Sequence, residues 1–86
     1  MTISRTKTFL KMFKKLPKHT QDKFQERLHL FLKDPTHPLL NNHKLHGEFV
    51  GCRSFNITAD SRVVFEELGN NHIEFIATGS HSELYS

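Results

Sequence analysis

The chain has 86 residues with a formal charge of +3, 36% hydrophobic side chains, eight phenylalanines and one cysteine. That length allows one domain, residues 1–86, burying roughly 60–65% of its unfolded surface around a single core, and its apolar content excludes disorder. A lone cysteine excludes an internal disulfide and fits a reducing, cytoplasmic setting, and no stretch reaches the roughly twenty apolar residues that span a bilayer.

The charge is unevenly placed. Residues 1–33 carry nine Lys/Arg against Asp22 and Glu26, a balance of +7, while residues 34–86 carry Lys44, Arg53 and Arg62 against seven acids, a balance of −4. The first half therefore offers a surface for a polyanion, and the second half holds packing or chemistry. A solvated lysine face is the plain alternative. The basic, hydroxyl-rich start also has the composition of a transit peptide, but removing it would strip the sheet of the first helix.

In chain order, Ile3 sits where a brief edge strand fits. From Thr6 the pattern is helical, with Phe9, Leu10, Phe13 and Leu16 on one face and lysines over the rest. Pro17 ends this helix at or before Leu16. A second helix is expected from about His19–Asp22, with Phe24, Leu28, Phe31 and Leu32 as its apolar face and a stop at Asp34-Pro35. Residues 35–47 read as a loop rich in turn formers and histidine.

Beyond the loop, two β-branched and aromatic runs flank Thr58-Ala59-Asp60-Ser61, the pattern of a hairpin. A third run, Ile73 to Thr78, follows the turn signal Gly69-Asn70-Asn71. Arg53, Phe55 and Ile57 alternate with Cys52, Ser54 and Asn56, and Arg62 and Val64 oppose Val63 and Phe65. In the last run Ile73, Phe75 and Ala77 oppose Glu74, Ile76 and Thr78. One mostly apolar face per strand suits a sheet covered on one side. The fold expected is α+β, an N-terminal αα-hairpin packed on a small twisted antiparallel sheet.

Onto this sheet the chain places Arg53, Asp60, Arg62 and His81, residue types able to cleave a phosphodiester without a metal. Attack by an RNA 2′-hydroxyl needs a base for its proton, positive charge for the phosphoryl oxygens and an acid for the leaving 5′ oxygen. Histidine titrates near working pH, and the arginine fork stays charged while donating two parallel hydrogen bonds. Read from residues alone, His81 equally suits a surface histidine near the chain end, Arg62 an edge-strand charge, Arg53 a structural pair with Asp60 or Glu48, and Asp60 a turn former.

The segment Leu45–Tyr85, with its strand Arg62-Val-Val-Phe and its ending Thr78-Gly-Ser-His-Ser-Glu-Leu-Tyr85, resembles the RelE/YafQ-type bacterial toxins. These are ribosome-dependent mRNA endoribonucleases of toxin–antitoxin pairs. The resemblance implies that His81 is catalytic, that Arg62 binds the scissile phosphate and that Tyr85 holds the substrate. It implies an active-site role for Asp60, and for His43, which resembles the histidine of a YafQ-like Asp-His-Pro-Leu-Gln-Gly motif. Arg53, Lys44 and His46 join Tyr85 as expected substrate contacts. It further implies a cognate antitoxin, mRNA on the ribosome and ribosomal RNA as partners, with neither membrane nor cofactor. Two positions depart from the pattern: Asn56 stands where relatives have histidine, and Ser61 where an aromatic often follows the aspartate. Which group is base and which acid stays open.

His43-x-x-His46 with His37, Cys52 or His81 is a weak zinc pattern, without paired cysteines or a His-Glu-x-x-His helix, so no metal is expected. The alternatives to a nuclease are a non-catalytic RNA- or ribosome-binding module on the same fold, and a protein whose basic helices bind an acidic or antitoxin partner.

Overall fold

The computed structural model describes residues 1–85. In chain order it contains β1 (Thr2–Arg5), α1 (Lys7–Lys14), α2 (Lys18–Lys33), β2 (His43–Lys44), β3 (Arg53–Asn56), β4 (Ser61–Gly69), β5 (His72–Ser80) and α3 (His81–Tyr85). Short 3₁₀ turns at Pro38–Leu40 and Gly47–Phe49 punctuate the long loop. The five strands lie in the order β1-β5-β4-β3-β2.

Thr6 starts α1 as its N-cap, its hydroxyl accepting from the Phe9 N–H at 3.0 Å. The same hydroxyl donates to the Ile76 carbonyl at 2.9 Å, tying the helix start to β5. Pro17 interrupts the helical run and then serves as N-cap of α2, whose Thr20 and Gln21 N–H groups donate to its carbonyl. The two helices cover one face of the sheet with a phenylalanine-rich core: Phe9, Phe24, Phe31, Phe55, Phe65 and Phe75 are all 2% exposed or less. Phe31 stacks on Phe55 at 4.9 Å, and Phe24 meets Phe75 edge-on at 5.8 Å. Such pairs add about 0.5–1.5 kcal/mol each beyond area burial.

The αα-hairpin on a sheet is as expected; several details differ. The sheet is mixed, because β1 pairs with β5 in parallel through Thr2↔His72 to Arg5↔Phe75. Leu10 and Leu32 are 47% and 46% exposed, so each helix buries only one of two adjacent apolar residues, and Leu30 packs on the core instead. The tip between β4 and β5 turns through Asn70 and Asn71, both at positive φ, the conformation of a tight hairpin turn.

The other face of the sheet is not bare. Leu45, Val64, Ala77 and Leu84 form a second buried cluster, with Met12, Phe49 and Tyr85 packed on it. A β-bulge makes this possible. Val64 pairs with Ala77 but Phe65 with Phe75, leaving Ile76 as the extra residue. The alternation therefore changes phase: Ala77 faces α3, whereas Thr78, opposite core residue Val63, faces the helices, the reverse of a regular strand.

Candidate active site

The face of the sheet opposite α1 and α2 carries polar residues in register. His43 pairs with Ser54, and Ser54 with Val64. One step along, Asn56 pairs with Arg62, and Arg62 with Gly79. Because paired residues share a face and residues two apart share it too, His43, Ser54, Asn56 and Arg62 stand together. His81 follows two residues after Gly79.

Three side-chain atoms among the described residues are shut off from solvent without a protein hydrogen-bond partner: Ser54 Oγ, Asn56 Oδ1 and Arg62 Nε. All three lie in this patch. A buried polar atom left unpaired costs about 1–3 kcal/mol, and this arrangement concentrates that cost at one place on the sheet. The Arg62 backbone, by contrast, is tied down, its carbonyl accepting from Thr78 Oγ1 at 2.9 Å.

His81 is placed by local sequence. Ser80-His81-Ser82-Glu83 forms a capping box: the Ser80 N–H donates to Glu83 Oε1 at 2.7 Å and the Glu83 N–H to Ser80 Oγ at 3.2 Å. The Ser80 backbone bond first, then its hydroxyl, hold the Glu83 carboxyl below its ordinary pKa, with Lys15 adding to the effect. Gly79 at φ +154° permits this, since a Cβ there would sit 3.0 Å from Glu83 Oε1. The box fixes His81 as the first residue of α3. Tyr85, one turn on, lies 4.8 Å from the imidazole between ring centroids, and Phe49 meets Tyr85 edge-on at 5.6 Å.

His43 is tied to the backbone through one ring nitrogen. Its Nδ1 lies 2.7 Å from the Asn41 carbonyl, which only accepts, so Nδ1 is the donor in this bond and Nε2 is not engaged by it.

The remaining expected residues fall elsewhere. Arg53 pairs with Phe65 and so points to the helix side, away from Arg62; its Nε donates to Asn42 Oδ1 at 2.8 Å. The expected pairing of Arg53 with Asp60 or Glu48 is absent among the described residues. With Lys44 and His46 it borders a separate groove of about 400 Å³ that also meets Glu67 and Cys52. Burial first, then the Glu66 carboxylate, push the Cys52 thiol above its ordinary pKa. Asp60 is exposed at the β3–β4 turn. It opens on a cleft of about 870 Å³ between that turn and the α1–α2 corner, with Lys15, His19 and Ser61 among its walls. No three His, Cys, Asp or Glu side chains gather for a metal ion among the described residues.

Three further contributors to the site differ in how far the sequence signals them. The Ser-x-x-Glu spacing before Tyr85 is a readable helix-start signal. Phe49 had none beyond being aromatic near Gly47. Ser54 stood out only as a hydroxyl in an apolar run, and its burial depends on the fold.

No helix among the described residues is long and apolar enough to cross a membrane. Among curated proteins, none matches the chain. Solved structures do. YafQ from E. coli superposes with a TM-score of 0.81 at 20% identity, covering 98% of this chain and 97% of its own. The E. coli DinJ–YafQ toxin–antitoxin complex matches at 0.78 and 20% identity, covering 98% and 96%. A YoeB/ParE toxin from Agrobacterium tumefaciens matches at 0.75 and 21%, covering 94% and 99%. At these identities the superpositions establish a shared fold. The model of the type II toxin–antitoxin toxin family YafQ matches residues 1–86, and the chain therefore belongs to the YafQ family of bacterial toxins.

Proposed function

We propose that this toxin is a metal-independent endoribonuclease that cuts mRNA in the ribosomal decoding site, by attack of the 2′-hydroxyl on the adjacent phosphate. The observation that carries the reading is the grouping of His43, Asn56 and half-buried Arg62 on one face of the sheet, at the end from which His81 emerges. Asn56 Oδ1 and Arg62 Nε have no protein partner, so neither side chain is fully committed to a structural bond. Arg62 neutralises the charge that grows on the phosphoryl oxygens, from a half-buried position where that charge is poorly screened by water.

The proton roles follow from hydrogen bonding and position. His43, with Nε2 open, takes the 2′ proton. His81, presented at the head of α3, gives a proton to the leaving 5′ oxygen. The two histidines thereby fill both transfers although Asn56 stands where relatives have histidine, and Asn56 contributes a neutral contact to the sugar or phosphate. Tyr85, braced by Phe49, supplies a ring face for a base. Arg53, Lys44 and His46, on their separate groove, serve RNA further from the cut. Asp60 stands outside the proton relay.

The lysines of α1 and α2 suit docking on ribosomal RNA. A cognate antitoxin partner is supported by the DinJ–YafQ complex, and a cytoplasmic location goes with a ribosomal target. The test is cell-free translation of a reporter mRNA with 5′ ends mapped by primer extension. Ribosome-dependent cuts are expected, reduced about 10²–10⁴-fold in His81→Ala or His43→Ala and lost in Arg62→Ala. Intact mRNA with folded wild-type protein would overturn the reading in favour of a binding module.

A further inference from the structure

The larger of the two cavities described above lies not at the proposed cutting site but across the end of the sheet from it. Its walls include Ser61 and Ser80, the residues immediately before Arg62 and His81. Neighbours in a strand point to opposite faces, so the sheet end is a thin wall with Arg62 on one side and this cleft on the other. A flexible polymer bound at Arg62 enters the cleft simply by turning over that edge.

The lining is specific in character. Leu16 and Pro17 form an apolar floor at the α1–α2 corner, a surface suited to a flat ring. Lys15 and His19 stand exposed at the rim. Lys18 next to them is engaged with Asp22 at 2.6 Å, whereas Lys15 makes no salt bridge among the described residues, although the Glu83 carboxylate also lines the cleft and feels its charge. On the opposite rim Asp60 is exposed, and its turn is closed without its carboxylate, because Thr58 Oγ1 accepts from the Asp60 and Ser61 N–H groups. The Asp60 side chain is thus released from the turn-forming duty that usually explains an aspartate there. At about 870 Å³ the cleft lies within the range of small-ligand sites, about 300–1,000 Å³.

Resting on the nuclease reading above, we infer that this cleft seats the nucleotide next to the scissile phosphate. Lys15 and His19 hold that nucleotide's phosphate, the floor at Leu16 and Pro17 supports its base, and the Asp60 carboxylate accepts a hydrogen bond from an amino group on the base edge. Asp60 then selects adenine, cytosine or guanine over uracil at that position, a carboxylate being an acceptor matched to exocyclic amines. It acts on specificity rather than on proton transfer.

The experiment uses the whole chain and 2′-O-methyl hexanucleotides of adenine, cytosine and uracil, which cannot be cut. Binding is followed by fluorescence anisotropy over a salt series, and the variants are Lys15→Gln, His19→Ala and Asp60→Ala, the last removing the acceptor altogether. Wild type should bind the adenine and cytosine oligonucleotides more tightly than uracil, and Asp60→Ala should level the three. Lys15→Gln should lower the slope of log affinity against log salt by about one. Unchanged slope and unchanged base preference would overturn the inference. Mapped cleavage separates the two proposals. Normal cutting by Lys15→Gln and Asp60→Ala with unaltered flanking bases removes the cleft and leaves the nuclease. Base-selective binding by a wild type that never cuts removes the nuclease and leaves the cleft.

Discussion

Replacing Ser54 with alanine should make the protein more stable without reducing cleavage. The Ser54 hydroxyl is fully buried and unpaired, so its removal relieves a desolvation cost of about 1–3 kcal/mol. Against that stands a void the size of one oxygen, whose lost dispersion contacts amount to a few tenths of a kcal/mol. The net gain is about 1 kcal/mol, which in a domain of this length raises Tm by about 4–8 °C. Urea unfolding should show a higher midpoint at unchanged slope, the sign of altered stability without altered compactness. Because the hydroxyl is closed off from solvent it is closed off from RNA too, and cleavage should stay at the wild-type level. A variant destabilised by about 1 kcal/mol or more would refute the reasoning, because the hydroxyl would then be satisfied in the folded protein.

Three further outcomes follow from the geometry around α3 and β3. Glu83→Gln should melt lower than wild type at neutral pH by a small margin, because Glu83 is exposed and well screened. Its lowered pKa means that its contribution is complete above the unfolded value of about 4.3 and drains away as pH falls through the folded value, so the two melting curves should converge in acid. Phe49→Ala removes an aromatic pair worth about 0.5–1.5 kcal/mol from behind Tyr85; kcat should fall several-fold while Phe49→Tyr restores it, which a cleavage time course on both variants would check. Cys52, its thiol pKa raised, should alkylate slowly with iodoacetamide at pH 8, and Glu66→Gln should quicken the reaction by removing the second cause.

What the sequence disclosed depended on the range of the interactions. The helices and the β3–β4 and β4–β5 hairpins were legible because their signals are local: apolar spacing around Phe9 and Phe24, Pro17, the Thr58–Ser61 turn and Asn70-Asn71. β1 pairs with a strand some seventy residues away, and nothing in Thr2–Arg5 states that partner or its parallel sense. Leu10 and Leu32 matched the helical stripe, yet the sheet beneath has room for only one of each adjacent pair. At the site, His81 and Arg62 stand out by chemistry and His43 by resemblance, and the three share a face of the sheet or its end. Arg53 looked equivalent to Arg62, and only the registers Arg53↔Phe65 and Asn56↔Arg62 put them on opposite sides. The α3 capping box was written plainly in Ser80-His-Ser-Glu83 and simply outweighed by the histidine inside it.

The bulge at Ile76 acts as a half-turn gear in β5. Upstream of it the strand delivers Phe75 to the helices; downstream it delivers Ala77 and Gly79 to the opposite side, and His81 emerges from that end. If the bulge straightened with every residue kept, regular alternation from Phe75 would carry Ala77 to the helix side and turn Thr78 and Ser80 outward, with the capping box facing the wrong way. Deleting Ile76 alone would instead make Phe75 and Ala77 neighbours in regular register and leave the end of β5 where it is. The extra residue and the irregular pairing are thus matched to each other: either both stay or both go, and only a change in one of them turns the site end of the strand over.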